Sequence, residues 1–122
     1  MNITEDSYNK GNVIKAYDEN SIQINDQHYS SSLIITPNKL IQDWHIDPNK
    51  LDLNDFSFID ELQPRIFIFG TGKKQIFPPT YLLDFFRSRG IGIECMSTGA
   101  ACRTYTILAA EGRHVAAGLV IF

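Results

Sequence analysis

The run Arg65-Ile66-Phe67-Ile68-Phe69-Gly70-Thr71-Gly72-Lys73-Lys74 decides how this chain folds. Four consecutive β-branched and aromatic side chains carry no polar–apolar alternation, which is the pattern of a central strand covered on both faces. The glycine-punctuated segment behind it reads as a loop. Pro78 and Pro79 then suit a helix start, where a missing N–H costs nothing. From Thr80 the helix carries Leu82, Leu83, Phe85 and Phe86, and Gly90 closes it. Ile91 to Met96 reads as a second short buried strand. Ser97 or Thr98 caps the next helix, which runs through Ala100-Ala101-Cys102 to Ala110 and stops at Glu111-Gly112. Arg113 to Phe122 supplies a last strand, apolar nearly throughout. The order strand–helix–strand–helix–strand predicts an α/β sheet whose first crossover joins a parallel pair with right-handed connection.

Upstream the patterning changes to short β-like runs. Val13 to Tyr17 and Ile22 to Ile24 flank the turn cluster Asp18-Glu19-Asn20-Ser21 and predict a hairpin. Tyr29 to Thr36 predicts one further strand, with Leu33-Ile34-Ile35 buried and Pro37 as its stop. Residues 38–54 read as irregular, with Trp44 packed rather than functional and Asp47-Pro48 as a turn. Asn54 or Asp55 is placed to cap a short helix to Leu62, with Phe56, Ile59 and Leu62 facing inward and Pro64 ending it. Residues 1–11 are polar and predict a loosely held arm.

At 122 residues the chain has room for one domain, spanning 1–122, and one real core. Hydrophobic content of 43% with 20% charged residues is globular composition and excludes disorder. The longest apolar stretch, Val115 to Phe122, runs eight residues, far short of the roughly 20 that cross a bilayer. Glu5 and Asp6 occupy the start with no apolar core behind a basic segment, so no signal peptide is predicted and the cytoplasm is the expected compartment. Cys95 and Cys102 are too few for a disulfide framework and are expected as reduced thiols. They form no zinc pattern, and His28, His45 and His114 are scattered, so neither metal nor cofactor is expected.

Charge is divided along the chain. Residues 1–64 hold four basic against eleven acidic side chains, and residues 65–122 hold seven basic against three acidic. Such a division marks either a binding face for anions or an acidic partner, or two halves that neutralise each other across one surface. No basic run extends beyond Lys73-Lys74 and the isoelectric point is about 5.5, which argues against nucleic acid.

In an α/β sheet, ligands favour the crevice beyond the carboxyl ends of parallel strands, where helix N-termini aim backbone N–H groups outward. If the two strands are neighbours, Gly70-Thr71-Gly72-Lys73-Lys74 and Met96-Ser97-Thr98-Gly99 converge there. Gly70, Thr71, Gly72, Lys73, Thr98, Gly99 and Arg103 are therefore the candidate anion or ligand pocket. The plainer reading is a tight turn beside a capped helix. The segment is neither a Walker loop nor a full dinucleotide fingerprint.

Cys102 lies near a helix N-terminus and beside Arg103, two features that lower a thiol pKa, and is the candidate reactive thiol. Its neighbours Ala100, Ala101 and Leu108 read it instead as a small buried hydrophobe, and His114 is the sole histidine nearby in sequence. Asp84, Glu94 and Glu111 are the only carboxylates of the second half, so no catalytic set is assigned.

The runs Ile68 to Gly72, Phe77-Pro78, Gly90 to Tyr105 and Ala110 to Arg113, in this order and spacing, resemble a known family. It is a family of small domains of unknown function that includes the mitochondrial NADH dehydrogenase (complex I) assembly factor 3. The resemblance implies a three-layer α/β domain: a central mixed sheet flanked by helices, with an additional N-terminal β-hairpin layer. It also implies a non-enzymatic protein-interaction module that assists assembly of a membrane-bound respiratory complex. A protein partner is then expected, with a homodimer as a further candidate. The alternative is a small-molecule anion-binding domain, or an enzyme, using a pocket between the 70–74 and 96–103 loops. Many relatives place asparagine where this chain has Thr106, so any amide contact made there is altered.

Overall fold

The computed structural model describes residues 11–121, so the predicted N-terminal arm, except Gly11, lies outside the described residues, as does Phe122. The strands are β1 (Ile14–Tyr17), β2 (Ile22–Ile24), β3 (Gln27–Tyr29), β4 (Leu33–Thr36), β5 (Lys39–Ile41), β6 (Ile66–Gly70), β7 (Gly92–Met96) and β8 (Val115–Leu119). The α-helices are α1 (Ile59–Leu62), α2 (Thr80–Arg87) and α3 (Thr98–Ala110), with a 3-10 turn at Leu53–Phe56. Strands β1, β2 and β3 form a small antiparallel sheet. The other five form a mixed sheet in the order β5-β4-β8-β6-β7.

β6 owes its continuous apolar run to its place inside this sheet. It pairs parallel with β7 on one side and β8 on the other, with Ile68 opposite both Glu94 and Ala117. Successive side chains leave a strand on opposite faces. Phe67 and Phe69 therefore enter one core with Trp44, Phe56, Leu82 and Phe86. Ile68 enters the other, with Ile22, Ile24, Ala101, Cys102 and Tyr105. Three layers result: α2 and the 53–62 segment, the five-stranded sheet, and α3 with the small sheet. Aromatic packing locks the first layer, Phe67 stacking on Phe86 with centroids 5.1 Å apart. Trp44 is packed as predicted, its indole N–H donating to the Asp55 carbonyl at 2.9 Å.

Four local expectations are corrected. The strand predicted over Tyr29–Thr36 is two strands in different sheets, because the chain crosses from the small sheet to the large one between Tyr29 and Leu33. Ser32 marks the crossing: its hydroxyl accepts the Ile121 amide at 2.9 Å. Pro37-Asn38 folds the chain straight back, so the segment expected to be irregular contains β5, with Lys39 opposite Thr36. The predicted helix to Leu62 is a 3-10 turn followed by the short α1, and its cap is Asp52, whose carboxylate accepts the Asn54 amide at 2.8 Å. Gln63, at φ 44°, ends α1 one residue before Pro64. Finally, β7 is an edge strand with Gly92 and Glu94 exposed, not a strand buried like β6.

Candidate functional site

Since β6 and β7 are adjacent and in register, with Gly70 opposite Met96, the loops leaving their carboxyl ends meet as expected. They are tied by backbone. The Thr71 amide donates to the Met96 carbonyl at 2.8 Å, and the Thr98 amide donates to the Gly72 carbonyl at 2.8 Å. The Gly72 amide donates in turn to the Thr98 hydroxyl at 2.9 Å, and that hydroxyl donates to the Val120 carbonyl at 2.7 Å. Close approach explains Gly70. A Cβ there would lie 2.9 Å from both Thr98 Cα and Ala101 Cβ, so only glycine lets α3 seat on β6.

A cleft of about 440 Å³ opens beside this junction, and Gly72, Lys73, Thr98, Gly99 and Arg103 line it. Gly70 and Thr71 do not. The Thr71 hydroxyl turns into its own loop, donating to the Lys74 carbonyl at 2.5 Å and accepting the Ile76 amide at 3.1 Å. The opposite wall is Tyr17, Asp18 and Glu19, at the end of β1 and in the turn after it. Sequence reasoning missed these three, and the acidic character of the first half was the only signal that pointed to them.

The cleft's charged groups each have a partner within the protein. Arg103 donates to the Tyr17 hydroxyl. Lys73 lies 3.4 Å from Glu19. Asp18 accepts the Asn20 and Ser21 amides at 2.8 and 2.9 Å, which hold its carboxyl below the usual range. Gly99 admits the Tyr17 ring, since a Cβ there would meet Cε1 at 2.9 Å. At the start of α3, the amides of Ala100 and Ala101 are bonded to the Ser97 hydroxyl at 3.3 Å and the Ser97 carbonyl at 2.9 Å. An anion cradle needs such amides free. With two cations facing two carboxylates, the arrangement has the chemistry of a polar seam joining the small sheet to α3.

Burial decides the cysteines. Cys102 is 1% exposed inside the α3 core, and burial pushes its thiol up to about 12 against a weaker opposite pull from Arg103. The expectation of a lowered pKa therefore gives way to the environment of a core side chain. Cys95 is pushed up to about 11 by burial and by the Glu94 charge. His114 precedes β8 at the amino ends of the parallel strands, whereas the cleft lies at their carboxyl ends. Among the described residues no cluster of three metal-ligating side chains occurs.

Outside the cleft, Phe77 is 81% exposed while Phe56, Phe67, Phe69 and Phe86 are fully buried. Its loop is held in place: the Gln75 amide group donates to the Cys95 carbonyl at 3.0 Å, and Pro78-Pro79 follow. The divided charge is partly neutralised across the fold. Lys73–Glu19 and Arg89–Asp60, the latter at 2.7 Å, each join the basic half to the acidic one.

The fold and junction define a small mixed-sheet α/β domain. The chain belongs to the family described as protein of unknown function (DUF498/DUF598), which matches residues 14–120. It is similar to a "13 kDa major membrane protein" of Francisella tularensis, 26% identical over 94% of this chain and 95% of that protein. It is also similar to NADH dehydrogenase [ubiquinone] 1 alpha subcomplex assembly factor 3 of Xenopus tropicalis, 29% identical over 88% of this chain. The match spans 60% of that assembly factor's own length. Among solved structures, a Xanthomonas campestris protein superimposes with a TM-score of 0.81 at 34% identity, covering 90% of this chain and 84% of that one. Among the described residues, no helix is long and apolar enough to cross a membrane.

Proposed function

We propose that this domain is a non-enzymatic protein-interaction module that assists the assembly of a membrane-bound respiratory complex, working from the cytoplasm. The observation that carries the reading is the similarity to the complex I assembly factor over 88% of this chain, so that what the two share is nearly the whole folded unit. The surface supports it. Phe77 is an exposed aromatic on a held loop, the kind of side chain that anchors protein interfaces at low ordering cost. A relative named as a membrane protein suits a domain that meets membranes through a partner.

Affinity capture from native lysate, including gently solubilised membranes, tests the reading when read by mass spectrometry beside a Phe77→Ser variant. Respiratory-complex subunits recovered by the original chain and lost with the variant are expected. An empty capture with correctly folded bait overturns the reading.

A further inference from the structure

Helix α3 is unusual among surface helices, because Arg103 is the one charged residue in its thirteen. One side, carrying Thr98, Ala101, Cys102 and Tyr105, is buried against the sheet. The opposite side therefore lacks the charged character that a solvent-facing helix surface normally has. Ile107 stands there 59% exposed.

Its flanks are symmetric. Arg103 lies four residues before Ile107 and Glu111 four residues after it, and all three are exposed. Residues at this spacing form one ridge along a helix. Turned about a two-fold axis through Ile107, the ridge is complementary to itself: Ile107 meets Ile107, and Arg103 of each copy faces Glu111 of the other. Thr104 and Ala110, also equidistant from Ile107, are small, which suits the roughly 8–10 Å axial separation of packed helices. Glu111 is the C-cap of α3, where the negative end of the helix dipole opposes a carboxylate. Arg113, 3.6 Å away, offsets that within one chain, and an arginine from a second copy would add to it.

We propose that this face of α3 is a homodimer interface, with a second copy packed antiparallel on it, Ile107 at the two-fold axis and an Arg103–Glu111 ion pair on either side. The inference goes beyond the assembly reading and stands without it, since no other protein takes part.

Sedimentation equilibrium of the purified chain over an about hundredfold range of concentration tests it. The original chain is expected to dimerise and Ile107→Glu to be monomeric. Arg103→Glu and Glu111→Arg should each raise the dissociation constant about tenfold or more, since two attractions become two repulsions. Mixing these two variants should restore a dimer, because each supplies the charge the other lacks. Thermal unfolding checks that every variant is folded. Should Ile107→Glu not fold, the mixing experiment decides alone. A chain that stays monomeric throughout the range overturns the proposal, and so does a dimer that the charge reversals leave unchanged.

Discussion

Gly72 and Thr98 are bonded in both directions: the Gly72 amide donates to the Thr98 hydroxyl at 2.9 Å, and the Thr98 amide donates to the Gly72 carbonyl at 2.8 Å. The Thr98 hydroxyl donates its own hydrogen bond to the Val120 carbonyl, so one buried side chain fastens both crossover loops to the end of β8. Thr98→Ala would leave a buried donor and a buried acceptor without partners. The expected loss is about 2–4 kcal/mol, measured by urea denaturation. Thr98→Ser keeps the hydroxyl and is expected to recover most of it. Equal losses in the two variants would show that the methyl group, not the bonding, matters.

The buried thiols predict an alkaline instability. Cys95 and Cys102 are raised from 9.0 to about 11 and about 12, so the unfolded chain releases these protons at a lower pH than the folded one. Above about pH 9 the unfolded state binds fewer protons, and stability falls as pH rises. Burial raises the Tyr105 hydroxyl and acts in the same direction at still higher pH. Melting temperature followed from neutral to alkaline pH should decline beyond that point, and Cys102→Ala should flatten the decline. A thiol reagent at neutral pH should label Cys102 only when the protein unfolds.

Two phenylalanines should behave oppositely. Phe77 is 81% exposed, and Phe77→Ser is expected to change stability by no more than about 0.5 kcal/mol. Phe67 is fully buried and stacked on Phe86, so Phe67→Ala should cost about 3–5 kcal/mol. Chemical denaturation of both variants checks the pair. A large loss at Phe77 would mean that its role is structural.

The occupied amides at the start of α3 and the mixed charge of the neighbouring cleft predict indifference to simple anions. A ligand at 100 times its dissociation constant raises stability by ~2.7 kcal/mol. Phosphate and nucleotides are expected to produce no such rise in a thermal-shift panel. A reproducible rise that Arg103→Ala abolishes would restore the anion pocket.

Much of the second half was legible because its signals are local. The unbroken run at Ile66 to Phe69, the prolines before α2 and the cap at Ser97 each act within a few residues of themselves, and all three elements form where expected. The convergence of the 70–74 and 96–103 loops followed from them, because a strand–helix–strand unit brings the carboxyl ends of its strands together. The first half was less legible. Nothing in Tyr29 to Thr36 announces that the chain changes sheets at Ser32, since both pieces are compatible with extended backbone. β5 is three residues long, too short for its own pattern to outweigh the polar sequence around it.

By itself the sequence determined the secondary structure of its second half, the neighbourhood of the two crossover loops and the burial of Trp44, Phe56, Phe67 and Phe69. These depend on propensity, capping and periodicity, which a short stretch of chain contains in full. Only the tertiary structure decided that β8 sits between β4 and β6, that Asp18 and Glu19 come to face Lys73 and Arg103, and that Cys102 is sealed in the core. Each depends on what lies across the fold from a residue, and a thiol beside an arginine is activated or silenced by burial that residues far away in the chain supply.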